Sequence, residues 1–397
     1  MEINLREQAI RYGTPFYLFD FDRLAEQVRT VRNIMGDKIR LCFAMKANPM
    51  LIKGMDSLVD CFEVCSPGEF RICEKEGIRR EKIVLSGVYK EEQDIRDVME
   101  KYGDAGIFTA ESEAQFLLLE KLSRECGIRP EVLLRLSSGN QFGMDESTVK
   151  KIIAGQKEKS GEGPRITGIQ LYGGTQTKKP GKFEEEIHKL DCFLSELEEE
   201  CGFRAEKLEY GPGLGVNYFE KDKPLDQEEL LGHLSAALHD MRFKAALTLE
   251  MGRFLCASCG TYVTKIADMK ENDGVKYAIC DGGIHHLNYY GQTLAMQIPF
   301  HEQIAGDGRD LKSGREENVV LCGALCTTAD VLVRDIPLSD PETGDLLAFE
   351  NAGAYSITEG RYLFLSRDLP AVLFAEGDGQ NEITLHRNAI HPDEINR

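Results

Sequence analysis

The chain is 397 residues long, 42% hydrophobic and 29% charged, with a formal net charge of −19. That length exceeds one ordinary core, so two domains are expected. The composition is that of a globular enzyme, and the acidic balance excludes nucleic acid, whose binding rests on neutralising phosphates with Lys and Arg.

No apolar run approaches the length of a membrane span, so no membrane partner is expected. The opening MEINLREQAI lacks the basic-then-apolar pattern of a signal peptide, which predicts a cytoplasmic protein. Twelve cysteines fit that placement as reduced thiols. Cys256-x-x-Cys259 has no second pair at metal spacing and reads as packing, so no metal is expected.

Taken in chain order, the first strand-like run is 15–20 (PFYLFD). Short apolar runs then recur at 40–45, 61–65, 83–87, 105–109, 132–136, 166–172, 207–210 and 247–250, separated by helical stretches such as 111–125 and 182–201. Near-continuous apolar strands alternating with helices indicate a parallel sheet buried on both faces. Their number and length match a (β/α)8 TIM-like barrel over residues 25–255, with a doubly wound sheet as the alternative. After residue 255 strand-like runs follow one another with few helices, at 261–267, 276–281, 317–322, 331–335, 346–350, 370–375 and 383–387. These predict a C-terminal antiparallel β-domain over 256–397, joined by 1–24 and its early strand. The polar stretches 156–164 and 303–316 read as surface insertions.

In a barrel the site lies at the carboxyl ends of the strands. The residues following the predicted strands are Lys46, Ser66, Arg135, Gly173-Gly174-Thr175, Gly211-Pro212-Gly213 and Glu250-Met251-Gly252-Arg253. Lys46 is either a solvated strand end or a reactive amine, for which desolvation and neighbouring charges set the pKa. The glycine turns let backbone N–H groups approach an anion, and Arg253 can add a bidentate phosphate contact. Glu250 can hydrogen-bond a pyridinium nitrogen.

Six blocks in this order resemble the alanine-racemase-type pyridoxal-phosphate (PLP) decarboxylases, the group of diaminopimelate and ornithine decarboxylases. They are Phe43-Ala44-Met45-Lys46-Ala47-Asn48, Phe62-Glu63-Val64-Cys65-Ser66-Pro67-Gly68-Glu69, Gly211-Pro212-Gly213-Leu214-Gly215, Glu250-Met251-Gly252-Arg253, Gly323-Ala324-Leu325-Cys326 and Ala352-Gly353-Ala354-Tyr355. The resemblance implies that Lys46 holds the cofactor as a Schiff base and that Glu250 pairs with the ring nitrogen. It implies phosphate contacts from Gly211, Gly213, Arg253 and Tyr355. It also implies a homodimer with shared active sites, in which Cys326 of one subunit protonates the α-carbon in the other after CO2 leaves. Taken without the resemblance, Cys326 is one thiol among twelve.

Two positions depart from the family pattern. Tyr172 stands where a histidine usually stacks on the cofactor ring, and Thr327 stands where a carboxylate usually meets the distal amine of the substrate. An unpaired distal ammonium in a closed site costs several kcal/mol, which favours a neutral or tethered distal group. Asp281 and Asp330 remain possible carboxylates, Arg135 a further substrate contact, and His285-His286 either faces substrate or caps a loop. These departures resemble the branch containing the glutamyl-carrier-protein decarboxylases of butirosin-type antibiotic biosynthesis. The expected substrate is therefore a small-molecule or carrier-protein-tethered amino acid. Lys178, Lys179 and Lys182 are either a basic patch for such a carrier or a solvated helix start. Diaminopimelate decarboxylation is the alternative activity. A racemase and a non-catalytic PLP-binding regulator are weaker competitors, given Cys326 in its block and intact Lys46, Glu250 and Arg253.

Overall fold

The computed structural model describes residues 3–158, 163–377 and 382–397, so part of the polar stretch 156–164 lies outside the described residues. The chain divides into two compact units: Val28–Val216 with Leu225–Leu255, and Met1–Gln27 with Asn217–Pro224 and Cys256–Arg397.

The first unit is a closed barrel of eight parallel strands. After β1 (Phe16–Asp20), which belongs to the other unit, these are β2 (Arg40–Ala44), β3 (Cys61–Val64), β4 (Ile83–Leu85), β5 (Ile107–Ala110), β6 (Glu131–Leu136), β7 (Arg165–Tyr172), β8 (Lys207–Gly211) and β9 (Ala246–Met251). Closure is made by β2 against β9, with Leu41 opposite Leu249 and Cys42 opposite Glu250. The eight runs read from the sequence are these eight strands, and the doubly wound alternative is excluded.

Two of the strand-to-helix turns use the same local chemistry. Ser66 caps the helix Pro67–Lys75 by accepting from Glu69 N, while Glu69 reaches back to Cys65 N at 2.6 Å. Ser112 caps Glu113–Cys126 by accepting from Gln115 N, and Gln115 reaches back to Glu111 N at 3.0 Å. Both are Ser-x-x-Glu/Gln boxes that satisfy the orphan donors of a helix start. They fix the directions in which β3 and β5 end.

The second unit is a nine-stranded sheet. It contains β1 and β10 (Gly260–Asn272), β11 (Val275–Cys280), β12 (His301–Ile304), β13 (Glu316–Cys322), β14 (Val331–Ser339), β15 (Leu346–Phe349), β16 (Ala371–Glu376) and β17 (Glu382–Arg387). The early strand does join it, between β10 and β16. Most ladders are antiparallel, but β1 runs parallel to β16 and β11 parallel to β13, so the sheet is mixed. Strand β12, inside the stretch read as a polar insertion and its flank, was not legible because its burial is only partial.

Within this unit His285 and His286 are 1% and 2% exposed, with ring centroids 3.7 Å apart. The imidazole of His286 is bonded to Tyr262 Oη at 3.1 Å and to the Asp368 carbonyl at 2.9 Å. Burial first, then the Arg367 charge, lowers His285 to about 4; burial and then the His285 charge lower His286 to about 3. Both imidazoles are thus neutral in the folded state, while the unfolded chain takes up protons below about pH 6.5. Stability of the sheet unit is therefore expected to fall as pH drops from about 6.5 towards 4. His286→Phe should flatten that slope in chemical denaturation followed across the window, and an unchanged slope would remove these rings from the acid response.

Candidate active site

Lys46 lies in the short turn Met45–Ala47 that ends β2, Glu63 near the end of β3 and Glu250 near the end of β9. All three are at the carboxyl ends of barrel strands, where the alternation of each strand turns them into the mouth. Lys46 Nζ is 2.6 Å from Glu63 Oε2 and 3.3 Å from Glu250 Oε1. The carboxylates are 2% and 4% exposed, whereas the lysine side chain keeps 37% of its surface.

The electrostatics separate the two acids. Burial alone raises Glu63, but the Lys46 charge and hydrogen bonds outweigh it and hold the carboxyl below the usual carboxylate range. At Glu250 burial and the Glu63 charge prevail over Lys46 and push the carboxyl up. Two acids competing for one ammonium are driven apart, the pattern found where titratable groups take different roles.

Tyr172, at the end of β7, places its ring 5.8 Å from Lys46 Nζ. Gly211 closes β8 so tightly that a Cβ there would lie 2.5 Å from the Tyr172 ring and 3.3 Å from Glu250 Oε2. Gly213 has φ +60, and a Cβ there would meet Gly174 O at 1.7 Å. Only glycine allows these two turns to approach each other. Gly252 has a similar role, since a Cβ there would press on Ala44 and Ala47 beside Lys46. Lys46, Tyr172, Gly211 and Glu250 thus bound one space, which offers an amine, an aromatic face, bare backbone and a buried carboxyl. These are the groups a phosphorylated pyridine aldehyde needs, so the residues fit PLP. Arg253 opens the short helix Arg253–Cys256 that follows β9.

Arg135 is not a free guanidinium. Its Nη1 is 2.9 Å from Glu111 Oε1, both side chains are largely buried, and Phe142 covers it with a ring 5.2 Å away. Expected as a substrate contact, Arg135 stands in an ion pair with Glu111. Lys182 is 3.9 Å from Glu186, one turn along the helix Pro180–Cys201, which is the solvated helix start.

The remaining expected residues belong to the sheet unit. Asp281 accepts from Thr14 Oγ1 at 2.5 Å, Thr264 Oγ1 at 2.7 Å and Lys265 N at 2.9 Å. Asp330, 2% exposed, accepts from Ile284 N at 2.9 Å and Leu325 N at 2.7 Å. Both carboxylates, expected as contacts for a distal ammonium, accept hydrogen bonds within their own unit. His285 is buried beside His286, whose Nε2 bonds the Asp368 carbonyl of a loop. Cys326 and Thr327 are exposed in the turn between β13 and β14. Tyr355 has φ 65, the left-handed region a non-glycine residue adopts only under local constraint, and its carbonyl accepts from Thr358 N and Glu359 N.

Three residues of the mouth were missed. Glu63 stood in a quoted block without a role, Glu111 opened the stretch 111–125 read as helical, and Glu209 lay in the run 207–210 read as a strand. The available signal for Glu63 and Glu209 was a carboxylate inside an otherwise apolar barrel strand, which is almost never buried without a partner; Glu111 directly follows the end of β5.

The match to known proteins agrees with this geometry. Residues 21–257 match the family model described as pyridoxal-dependent decarboxylase, pyridoxal binding domain. The chain is 28% identical over 387 residues to an L-glutamyl-[BtrI acyl-carrier protein] decarboxylase of Niallia circulans, covering 91% of this chain and 88% of that protein. It is 25% identical over 400 residues to a diaminopimelate decarboxylase of Aquifex aeolicus, covering 94% and 90%. Among solved structures, the diaminopimelate decarboxylase of M. jannaschii in complex with L-lysine superposes with a TM-score of 0.86 at 25% identity, over 99% of this chain and 93% of that one. With a lysine, two buried acids and two glycine turns gathered at one barrel mouth, the chain belongs to the pyridoxal-dependent decarboxylases and is a PLP-dependent carboxy-lyase.

Proposed function

We propose that this enzyme removes the α-carboxylate of an L-glutamyl group carried as a thioester on an acyl-carrier protein, in the cytoplasm and within a specialised biosynthesis. The observation that carries the reading is the state of the acids around a distal group: Thr327 replaces a carboxylate, while Asp281 and Asp330 are engaged by their own sheet. A γ-linked glutamyl thioester has a free α-amine and α-carboxylate and no distal charge. The Niallia circulans relative named for that substrate supports the choice. Diaminopimelate is the second reading, supported by the relatives of that name.

In this reading Lys46 would hold the cofactor, Tyr172 would lie against its ring, Glu250 would pair with the ring nitrogen, and Gly211, Gly213, Arg253 and Tyr355 would hold its phosphate. When bound, PLP supplies an electron sink for the pair left at the α-carbon as CO2 departs. The chain's own contribution is orientation. Glu63 holds the Lys46 amine at 2.6 Å and so keeps it at the mouth. Glu250, 4% exposed, would meet the ring with little competing water.

Cys326 delivers a proton to the α-carbon in the partner's site, so the working form is a homodimer with shared sites. The exposed apolar side chains Tyr290, Leu294, Met296, Leu363 and Phe364 of the sheet unit support such a contact surface.

Three outcomes test this. Lys46→Ala should give a protein that stays colourless with PLP and releases no CO2; visible absorbance like that of the wild type would remove Lys46 from its role. Cys326→Ala should keep the cofactor spectrum but lose turnover by about a hundredfold, within the range for one proton donor. Normal turnover would assign the proton to another group. In a CO2-release panel, kcat/KM for carrier-bound γ-glutamyl substrate should exceed that for diaminopimelate by about a hundredfold or more, the equivalent of one unpaired buried ammonium. The reverse ranking would establish the second reading.

A further inference from the structure

Below the Lys46 cluster the barrel holds a third acid that the roles above do not use. Glu209 of β8 is 2% exposed, and its Oε1 is 2.6 Å from Gln170 Nε2. Gln170 of β7 is 1% exposed, and its Nε2 also lies 3.4 Å from Ser86 Oγ, across the barrel. Its Oε1 is buried with no hydrogen-bond partner among the described residues. Orphans of this kind are rare in folded proteins.

A carboxylate only accepts hydrogen bonds, whereas a carboxylic acid also donates one. A proton on Glu209 would add the donor that Gln170 Oε1 lacks, beside the bond from Gln170 Nε2–H to Glu209 Oε1. Turning the amide over does not remove the need for that proton, because it would set two oxygens 2.6 Å apart. The charged and titratable groups facing Glu209 are Cys42 of β2, Cys61 and Glu63 of β3, Glu250 of β9, and Lys46. Burial raises the Glu209 carboxyl to about 8, with Cys61 and Glu63 adding to the effect and Gln170 and Lys46 opposing it.

We propose that Glu209 is a positioning residue held as the neutral acid in a two-point pair with Gln170, so that the mouth above it carries one negative charge fewer. The consequence lies at Lys46. An amine attacks an aldehyde only when uncharged, and an ionised Glu209 under the Lys46–Glu63–Glu250 cluster would stabilise the ammonium. The neutral pair supports the ring of charges mechanically without adding to it. This part rests on Lys46 being the cofactor lysine.

The direct test is infrared difference spectroscopy of the full chain as purified, at neutral pH, between wild type and Glu209→Gln. A carboxylic-acid C=O band present in the wild type and absent from the variant is expected, and its absence from the difference would overturn the proposal. Gln170→Leu should shift that band, because the acid loses its partner; a band that stays in place would break the pairing. The second readout is the pH profile of the rate at which PLP is captured, followed by absorbance. Glu209→Gln should leave its midpoint in place, whereas a fall of about one pH unit or more would show that a negative charge had been removed. Glu209→Leu should slow capture about tenfold, with Glu209→Gln restoring the rate, since an amide left unpaired in a dry core loosens the floor. If no variant and no wild type captures PLP, the reading of Lys46 fails while the infrared result still decides the protonation of Glu209.

Discussion

The contact between Lys46 and Glu63 is the constraint on which the barrel mouth depends. Glu63 is buried while Lys46 keeps 37% of its side-chain surface, so the pair contributes little net stability, because desolvating the carboxylate offsets the attraction. Breaking it is costly, since the survivor is left charged and alone. Such a pair at the ends of β2 and β3 is therefore explained by chemistry and not by fold. It holds an amine at a fixed place, at the edge of a dry space, with a second acid 3.3 Å away whose own charge is suppressed.

The surrounding backbone follows from that arrangement. Gly252 lets the end of β9 close on the Lys46 turn, and Gly211 and Gly213 let two neighbouring turns touch. Inside the barrel the composition is mixed. Cys42, Cys61 and Val84 form an apolar cluster with Ile107, and Ser86, Gln170 and Glu209 form a polar group. A barrel of this kind is a packed core with a reactive top.

Much of this was legible in the sequence. The eight barrel strands were visible because both faces of each are buried, which leaves uninterrupted apolar runs such as 132–136 and 166–172. Lys46, Gly211 and Glu250 were visible because each sits where such a run stops. What was not legible depends on pairing across the chain. The partner of Arg135 is Glu111, one strand away, and no spacing rule joins them. Asp281 and Asp330 look in the sequence like polar residues free to bind, yet Asp281 accepts from the Thr14 and Thr264 hydroxyls and Lys265 N of β10, and Asp330 from Ile284 N and Leu325 N. The parallel ladder of β1 with β16 was hidden because strand direction leaves no mark on a short run.

That ladder has a consequence for synthesis. Phe16 and Tyr17 are fully buried, and their partners on one side are Ala371 and Val372. During translation the barrel segments emerge, and have the chance to close, long before the strand that covers this early one exists. The first strand must wait with a hydrophobic edge unpaired, a state that invites association between nascent chains. Loss of the last strands should thus be felt first at the opposite end of the polypeptide, as an aggregation fault in a region whose own residues are intact.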